Sequence, residues 1–282
     1  ELPTGEFVLP KQKTIWDNLL RMLRRQPLGS AGAIVIIVMA FAAVFAETIA
    51  PFDPELENFE YMLSPPGTVH EDTGKVFYFG TDSFGRDQLS RMIYGARTAL
   101  LVGFTASFCG AFLGLILGVA SAYFGGYIDL VLQRVCDVFM AFPLIIMALA
   151  IVSIFGTGVE MVIIAITIPF IPNCARVVRS SALALKGLPY IDAARSVGYG
   201  HVRLIMRHMV PNVMAPFLIM LTAFVGQAIL TEASLSYLGM GVQEPTAAWG
   251  LMLQGGAEEY AESAPWVPIW PGVAITLAVF GF

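Results

Sequence analysis

The sequence predicts an all-α integral membrane protein that crosses the bilayer six times, and three observations carry that reading. First, 57% of its 282 residues are hydrophobic and only 13% are charged, where a soluble domain has about 25% charged; the mean hydropathy is +0.73. Second, the apolar residues gather in windows long enough to cross about 30 Å of hydrocarbon, which takes roughly 20 helical residues each. Third, the basic residues fall unevenly between those windows. The net charge of -5 says less than this distribution.

Taken in order, residues 1–27 form an N-terminal segment with no apolar leader core, so no cleavable signal peptide is expected. Trp16, Leu19, Leu20 and Leu23 recur at helical spacing among Lys11, Lys13, Arg21, Arg24 and Arg25, which predicts an amphipathic helix lying in the membrane interface. The predicted spans are 28–50, 98–124, 137–155, 159–175, 212–238 and one from about 267. The last is still apolar at Phe282, so the polypeptide is expected to continue. With the N-terminus inside, Lys11, Lys13, Arg21, Arg24, Arg25, Arg134, Arg176, Arg179, Lys186, Arg195, Arg203 and Arg207, 12 of the 16 Lys and Arg, are cytoplasmic. Lys75, Arg86, Arg91 and Arg97 remain outside, all in the 51–97 loop.

In that loop Gly80, Asp82 and Gly85 favour turns, and Asp87 with Arg91 reads as an i,i+4 pair on a short helix before span two. The spacing of Asp82 and Asp87 lacks the alternating ligands of a calcium loop, and no metal site is predicted. Span two carries Gly110, Gly114, Gly118 and then Ala122 at four-residue intervals, a ridge that lets another helix approach closely. Pro143, Pro169 and Pro172 are expected to kink spans three and four. Cys109, Cys136 and Cys174 lie in or beside apolar runs, and three such residues predict small buried hydrophobes, not a disulfide framework.

The segment 189–211 is polar among apolar spans. Pro189 suits a first helical position, and the turns from Tyr190 through Asp192, Ala193, Ala194 and Arg195 are predicted to stop at Gly198 and Gly200. The two alanines keep the surface thin enough to enter a groove on another protein. A second helix follows, with Val202, Ile205, Met206 and Met209 predicted to face the bundle, Arg203, Arg207 and His208 off that stripe, and Pro211 ending it. The alternative is a plain loop held at the headgroups by its basic residues. Glu232 is an acid deep in span five, where an ionisable group is costly. It is a candidate for the translocation path or its gate, or a hydrogen bond to a neighbouring helix.

"DAARSVG" at 192–198 with "HMVPN" at 208–212 resembles the EAA loop of ABC importer permeases, with Asp192, Ala193, Ala194, Gly198 and Pro211 at the pattern's positions and Asp replacing its Glu. The stretches "FGTDSFGRDQLSRMIYGARTALLVG", "YFGGYID" and "LSYLGMGVQEPTAAWG" resemble the C-type permease of dipeptide and oligopeptide (peptide/opine/nickel) importers, over nearly the whole chain. Asp82, Gly85, Arg86 and Asp87 form the external motif of that resemblance. The resemblance implies the type I ABC importer permease fold, with a core permease domain over 98–282. It implies a multi-pass subunit of the bacterial inner membrane that pairs with a second, homologous permease chain to import peptides. Two cytoplasmic ATPases using ATP and Mg²⁺ would dock on the helix from Tyr190, and an external binding protein would deliver the substrate. Relatives that carry nickel chelates, glutathione, opines or sugars leave the substrate open.

The chain itself is predicted to bind no cofactor and no nucleic acid: its Gly74–Lys75 pair lies in the external loop and is followed by Val76, which is not a P-loop. An ion-coupled transporter would need coupling residues at mid-depth and inverted repeats, of which only Glu232 is visible. A membrane enzyme would need a cluster of His, Cys or carboxylates with catalytic spacing, and none is present.

Overall fold

The computed structural model describes residues 26–282, so the expected interfacial helix at the N-terminus lies outside the described residues. The chain runs α1 (Pro27–Val44), α2 (Ala46–Ile49), a short hairpin β1 (Thr68–Val69) and β2 (Val76–Phe77), α3 (Gln88–Phe124), α4 (Gly126–Met140) and α5 (Leu144–Phe155). It continues with α6 (Val159–Lys186), α7 (Pro189–Ser196), α8 (His201–Leu204), a wide π-type turn (Ile205–Met209), α9 (Val210–Tyr237), α10 (Trp249–Glu259) and α11 (Trp266–Gly281). Each predicted apolar window holds a helix. Pro27–Val44, Gln88–Phe124, Val159–Lys186 and the continuous helix His201–Tyr237 are each long and apolar enough to cross a membrane alone.

The third window departs from expectation. Pro143 does not kink one helix but separates two, and α4 and α5 meet at 87°. Its backbone is extended there (ψ 137°), and its ring, which would crowd the helical carbonyl four residues back, opposes continuation of α4. The 12 residues of α5 span about 18 Å at 1.5 Å per residue. Conversely, α6 runs through Pro169 and Pro172 without ending. The helix expected just before span two is the first turn of α3 itself.

The core forms where the glycine ridge predicts it. A Cβ on Gly114 would lie 2.5 Å from the Cβ of Cys174, and one on Gly118 would lie 2.6 Å from the Ala175 carbonyl oxygen. Helices α3 and α6 therefore touch backbone to backbone. Cys174 is buried there and donates to the Ala111 carbonyl at 3.3 Å. Phe170 stacks on Phe224 at 4.2 Å, which brings α9 onto the same pair. A second apolar cluster joins α1, the start of α3, α10 and α11.

The 51–97 loop is a folded unit. Phe52 stacks on Phe77 at 4.6 Å and Tyr61 on His70 at 5.0 Å, and Phe79 stacks on Trp270 of α11 at 4.1 Å. Aromatic pairs of this kind add about 0.5–1.5 kcal/mol each beyond area burial.

Candidate functional site

Two clusters of polar residues stand out, one at each end of the bundle. At one end Asp82 turns the chain back on itself. One carboxylate oxygen accepts from the Phe84 and Arg86 amides at 2.9 Å each, and the other from Arg86 Nε at 2.8 Å. The turn needs Gly85, whose φ is +71° and whose Cβ would lie 1.7 Å from the Asn58 carbonyl oxygen. Arg86 then reaches Glu244 with both terminal nitrogens, at 2.7 and 3.1 Å. Arg91, 1% exposed, bonds the Pro54 carbonyl at 3.1 Å and lies 3.6 Å from Asp82 and 3.4 Å from Glu244.

The expected Asp87–Arg91 pair is thus absent. Asp87 instead caps α3, accepting from the Ser90 amide at 2.8 Å and its hydroxyl at 2.6 Å. A residue at the cap position aims its side chain at the free amides of the first turn, not down the helix. Burial raises the Asp87 carboxyl above its ordinary value against those hydrogen bonds. Burial also pushes the Glu244 carboxyl up, but the Arg86 hydrogen bonds and the Arg91 and Arg86 charges outweigh it and leave it below its ordinary value. The external motif therefore ties the 51–97 unit to the 239–266 loop. Glu244 was missed in the sequence because its partners are more than 150 positions away.

At the other end, α7 begins with Pro189 at its first position and ends as predicted. The Tyr199 amide bonds the Ala194 carbonyl at 3.1 Å and the Gly198 amide the Arg195 carbonyl at 2.9 Å, the paired closure of a helix on a left-handed glycine. Gly198 has φ +87°. Ile191 is fully buried and Ala194 packs beside it against the core. Tyr190, Asp192, Ala193, Arg195 and Gly198 are exposed. The two alanines therefore differ: Ala193 faces outward, while Ala194 is packing.

Half of the predicted stripe after the hinge faces the core: Met209 is buried and Ile205 packs against the core. Val202 and Met206, 75% and 62% exposed, do not, and Leu204, outside the stripe, is buried. The wide turn closes a bond from the Val210 amide to the Ile205 carbonyl, so inward positions fall five apart there instead of three or four. Pro211 does not end the helix either. It enters α9 directly behind that turn, whose extra residue accommodates a ring with no N–H to offer.

Side chains then fasten α7 to the spans. His208 lies between the rings of Tyr190 and Tyr199, 6.1 and 5.6 Å away, and Arg203 lies over Tyr199. Arg207 is exposed. Tyr123, at the end of α3, shares a hydrogen bond with His201 Nδ1 at 2.6 Å and receives the Arg195 guanidinium over its ring. On α6, Arg179 holds Asp129 through two bonds at 2.5 and 2.6 Å, and Arg176 holds Asp137 at 2.6 Å, pinning α4. The signal for this pair was in the sequence: two aspartates eight apart facing two arginines three apart.

Glu232 is buried and its Oε1 accepts from Ser236 at 2.7 Å, whose hydroxyl in turn accepts from the Val242 amide at 3.1 Å. The bond stays within the acid's own helix. Among the described residues no group of His, Cys, Asp and Glu is placed to hold a metal ion.

Residues 110–282 match the family described as the binding-protein-dependent transport system inner membrane component. The chain belongs to that family. Residues 14–66 also match the N-terminal transmembrane domain of oligopeptide transport permease C. The permease is 41% identical over 258 residues to a putative peptide transport system permease protein of Brucella suis, covering 92% of this chain and 84% of that one. It is 39% identical over 279 residues to the glutathione transport system permease protein GsiD of Escherichia coli, covering 98% and 89%.

Among solved structures, an inward-facing MetNI methionine ABC transporter shares the fold at a TM-score of 0.56 with 18% identity, over 67% of this permease and 90% of that chain. The permease has the type I ABC importer fold. It is a multi-pass inner-membrane transport subunit that works with an ATPase and a binding protein.

Proposed function

We propose that the chain forms, with a second and different permease subunit, the path by which peptides enter the cell, and that α7 is the element through which two ATPase subunits drive it. The observation that carries the reading is the build of α7: one buried anchor, Ile191, an outward face with small Ala193 beside Tyr190 and Asp192, and a fixed reversal at Gly198. Val197 and Val202 flank that reversal, each three-quarters exposed, and exposed aliphatics at a helix end suit a protein groove better than water. The relative named for peptide transport supports a peptide as the solute, and the one named for glutathione transport marks the alternative that the test must separate.

The bent pair α4–α5 supports a second permease chain. Tyr127, Val131, Val138, Phe142 and Ile146 along it are all at least half exposed, and α5 is too short to cross alone. In this arrangement the N-terminus and α7 are cytoplasmic, the Asp82–Glu244 cluster is external, and ATP and Mg²⁺ belong to the partner ATPases. The test is uptake of a labelled dipeptide, with glutathione as the comparison, by vesicles holding the purified complex, its binding protein and internal ATP. Uptake of the dipeptide that needs both ATP and the binding protein is expected. Uptake of glutathione alone would overturn the peptide assignment.

A further inference from the structure

One face of α9 is open along most of its length. Ala215, Ile219, Ala223, Gln227 and Leu230, spaced three or four apart, are all exposed. Gln227 lies two residues past the middle of the 212–238 window, about 3 Å at 1.5 Å per residue. Exposed hydroxyls on this helix are satisfied by the helix itself. Thr222 donates to the Leu218 and Ile219 carbonyls at 3.1 and 3.0 Å, and Ser234 donates to the Leu230 carbonyl at 2.8 Å, which makes a hydroxyl tolerable against lipid. The Gln227 side-chain amide has no such partner among the described residues. A primary amide left unpaired in hydrocarbon is costly, so lipid is a poor cover for this face. One turn further along, Leu230 and Ser234 line a cavity of about 360 Å³ together with Ile145 of α5, Leu253 of α10 and Ile275 of α11. Ile145 belongs to the bent pair on whose exposed face the second permease is placed, so the open face of α9 runs into that junction.

We infer that Gln227 hydrogen-bonds the backbone of a peptide crossing between the two permeases, and that the cavity beside it takes one of the peptide's side chains. The inference rests on the peptide-path reading and adds to it the residue that meets the solute at mid-depth. A primary amide offers donors and an acceptor together, and a peptide unit presents an N–H and a C=O. One glutamine can therefore meet peptides of many sequences. The cavity wall carries no charge, so it selects for the peptide unit and for apolar bulk, not for the sign of a side chain.

Uptake is measured in vesicles holding the complete complex, its binding protein and internal ATP, for a dipeptide and for its ester counterpart, in which oxygen replaces the peptide N–H. Gln227→Met keeps the length of the side chain and removes its donors and acceptor. It should lower the ratio of dipeptide to ester uptake about 2- to 10-fold relative to the wild type, the factor that one hydrogen bond contributes. The binding protein's own preference is common to both complexes and cancels. An unchanged ratio overturns the inference. Absence of any dipeptide uptake by the wild type is a different outcome, since it sinks the peptide-path reading itself. Independently of uptake, Gln227→Cys in the assembled complex should react with a water-soluble thiol reagent beyond the level of the unsubstituted complex, and adding the dipeptide to the energised complex should slow that reaction. Reaction that the dipeptide does not slow overturns the inference, as does a cysteine kept unreactive by lipid or by a helix of the partner permease.

Discussion

The two ends of the molecule use the same residue types in opposite ways. At the Asp82 end Arg86 and Arg91 are 5% and 1% exposed and share Asp82 and Glu244. At the α7 end Arg195 and Asp192 also lie within 3.4 Å, but their side chains are 40% and 69% exposed. Buried charges need their partners, so the Asp82 cluster holds one shape. Exposed charges are nearly free to exchange partners, so α7 is left with an open face, as the proposed docking requires. The difference teaches which end is fixed and which is open.

The largest expected effect is therefore at the Asp82 end. Arg91→Met removes a buried cation and leaves the Pro54 carbonyl without a partner and Asp82 and Glu244 with Arg86 alone. Losing a hydrogen bond to a charged group at a buried site costs about 1.5–3 kcal/mol, seen as a fall in the melting temperature of the purified complex. A loss below about 1 kcal/mol would put the cluster in the class of exposed pairs and erase the contrast.

Next is Ala193→Trp, which overfills whatever groove receives α7. Overpacking costs about 1–3 kcal/mol, or roughly a 5- to 150-fold loss of affinity for the ATPase subunits. Co-purification with the permease pair measures it, and the melting temperature should not move. Ala194→Trp should do the reverse, since Ala194 packs inward.

Gly198→Val comes third. No atom lies within 4 Å of its Cβ position, so only the φ of +87° opposes it, at about 1–2 kcal/mol. Transport per bound ATPase should fall because the reversal is misdirected, and retention of full coupling would mean that the turn is not a fixed lever.

A smaller effect separates the ends by pH. Glu244 is held below its ordinary value, so it contributes stability that is present above the unfolded glutamate value of about 4.3 and is lost as pH falls through the lower folded value. Melting temperatures measured at decreasing pH should drop less for Glu244→Gln than for the wild type. Smallest of all, Arg195→Ala removes an exposed pair worth about 0–1 kcal/mol, and its melting temperature should be close to the wild type.

Much of the fold was legible because its causes are local. Apolar windows give helices in lipid, the Gly110–Gly114–Gly118 ridge gives a close contact, and Pro189 and Gly198 give both ends of α7. The failures share a cause as well. The stripe through Val202 and Met206 assumed an unbroken 3.6-residue period, and the π-type turn changed the phase. Asp87 was matched to the nearest basic residue along the helix when its place at the cap turned it toward Ser90. Pro143 and Pro169 are the same residue type in apolar runs, yet one separates two helices at 87° and the other is carried inside α6.

By itself the sequence determined the class, the apolar segments, the boundaries of α7 and the family, since each depends on a short stretch read against water or lipid. Only the tertiary structure decided which distant polar groups meet. Arg86 finds Glu244 158 positions away, and Tyr123 finds His201 78 positions away. A buried polar group must take a partner within reach in space, and which groups come within reach is set by how helices and loops pack, not by their order along the chain.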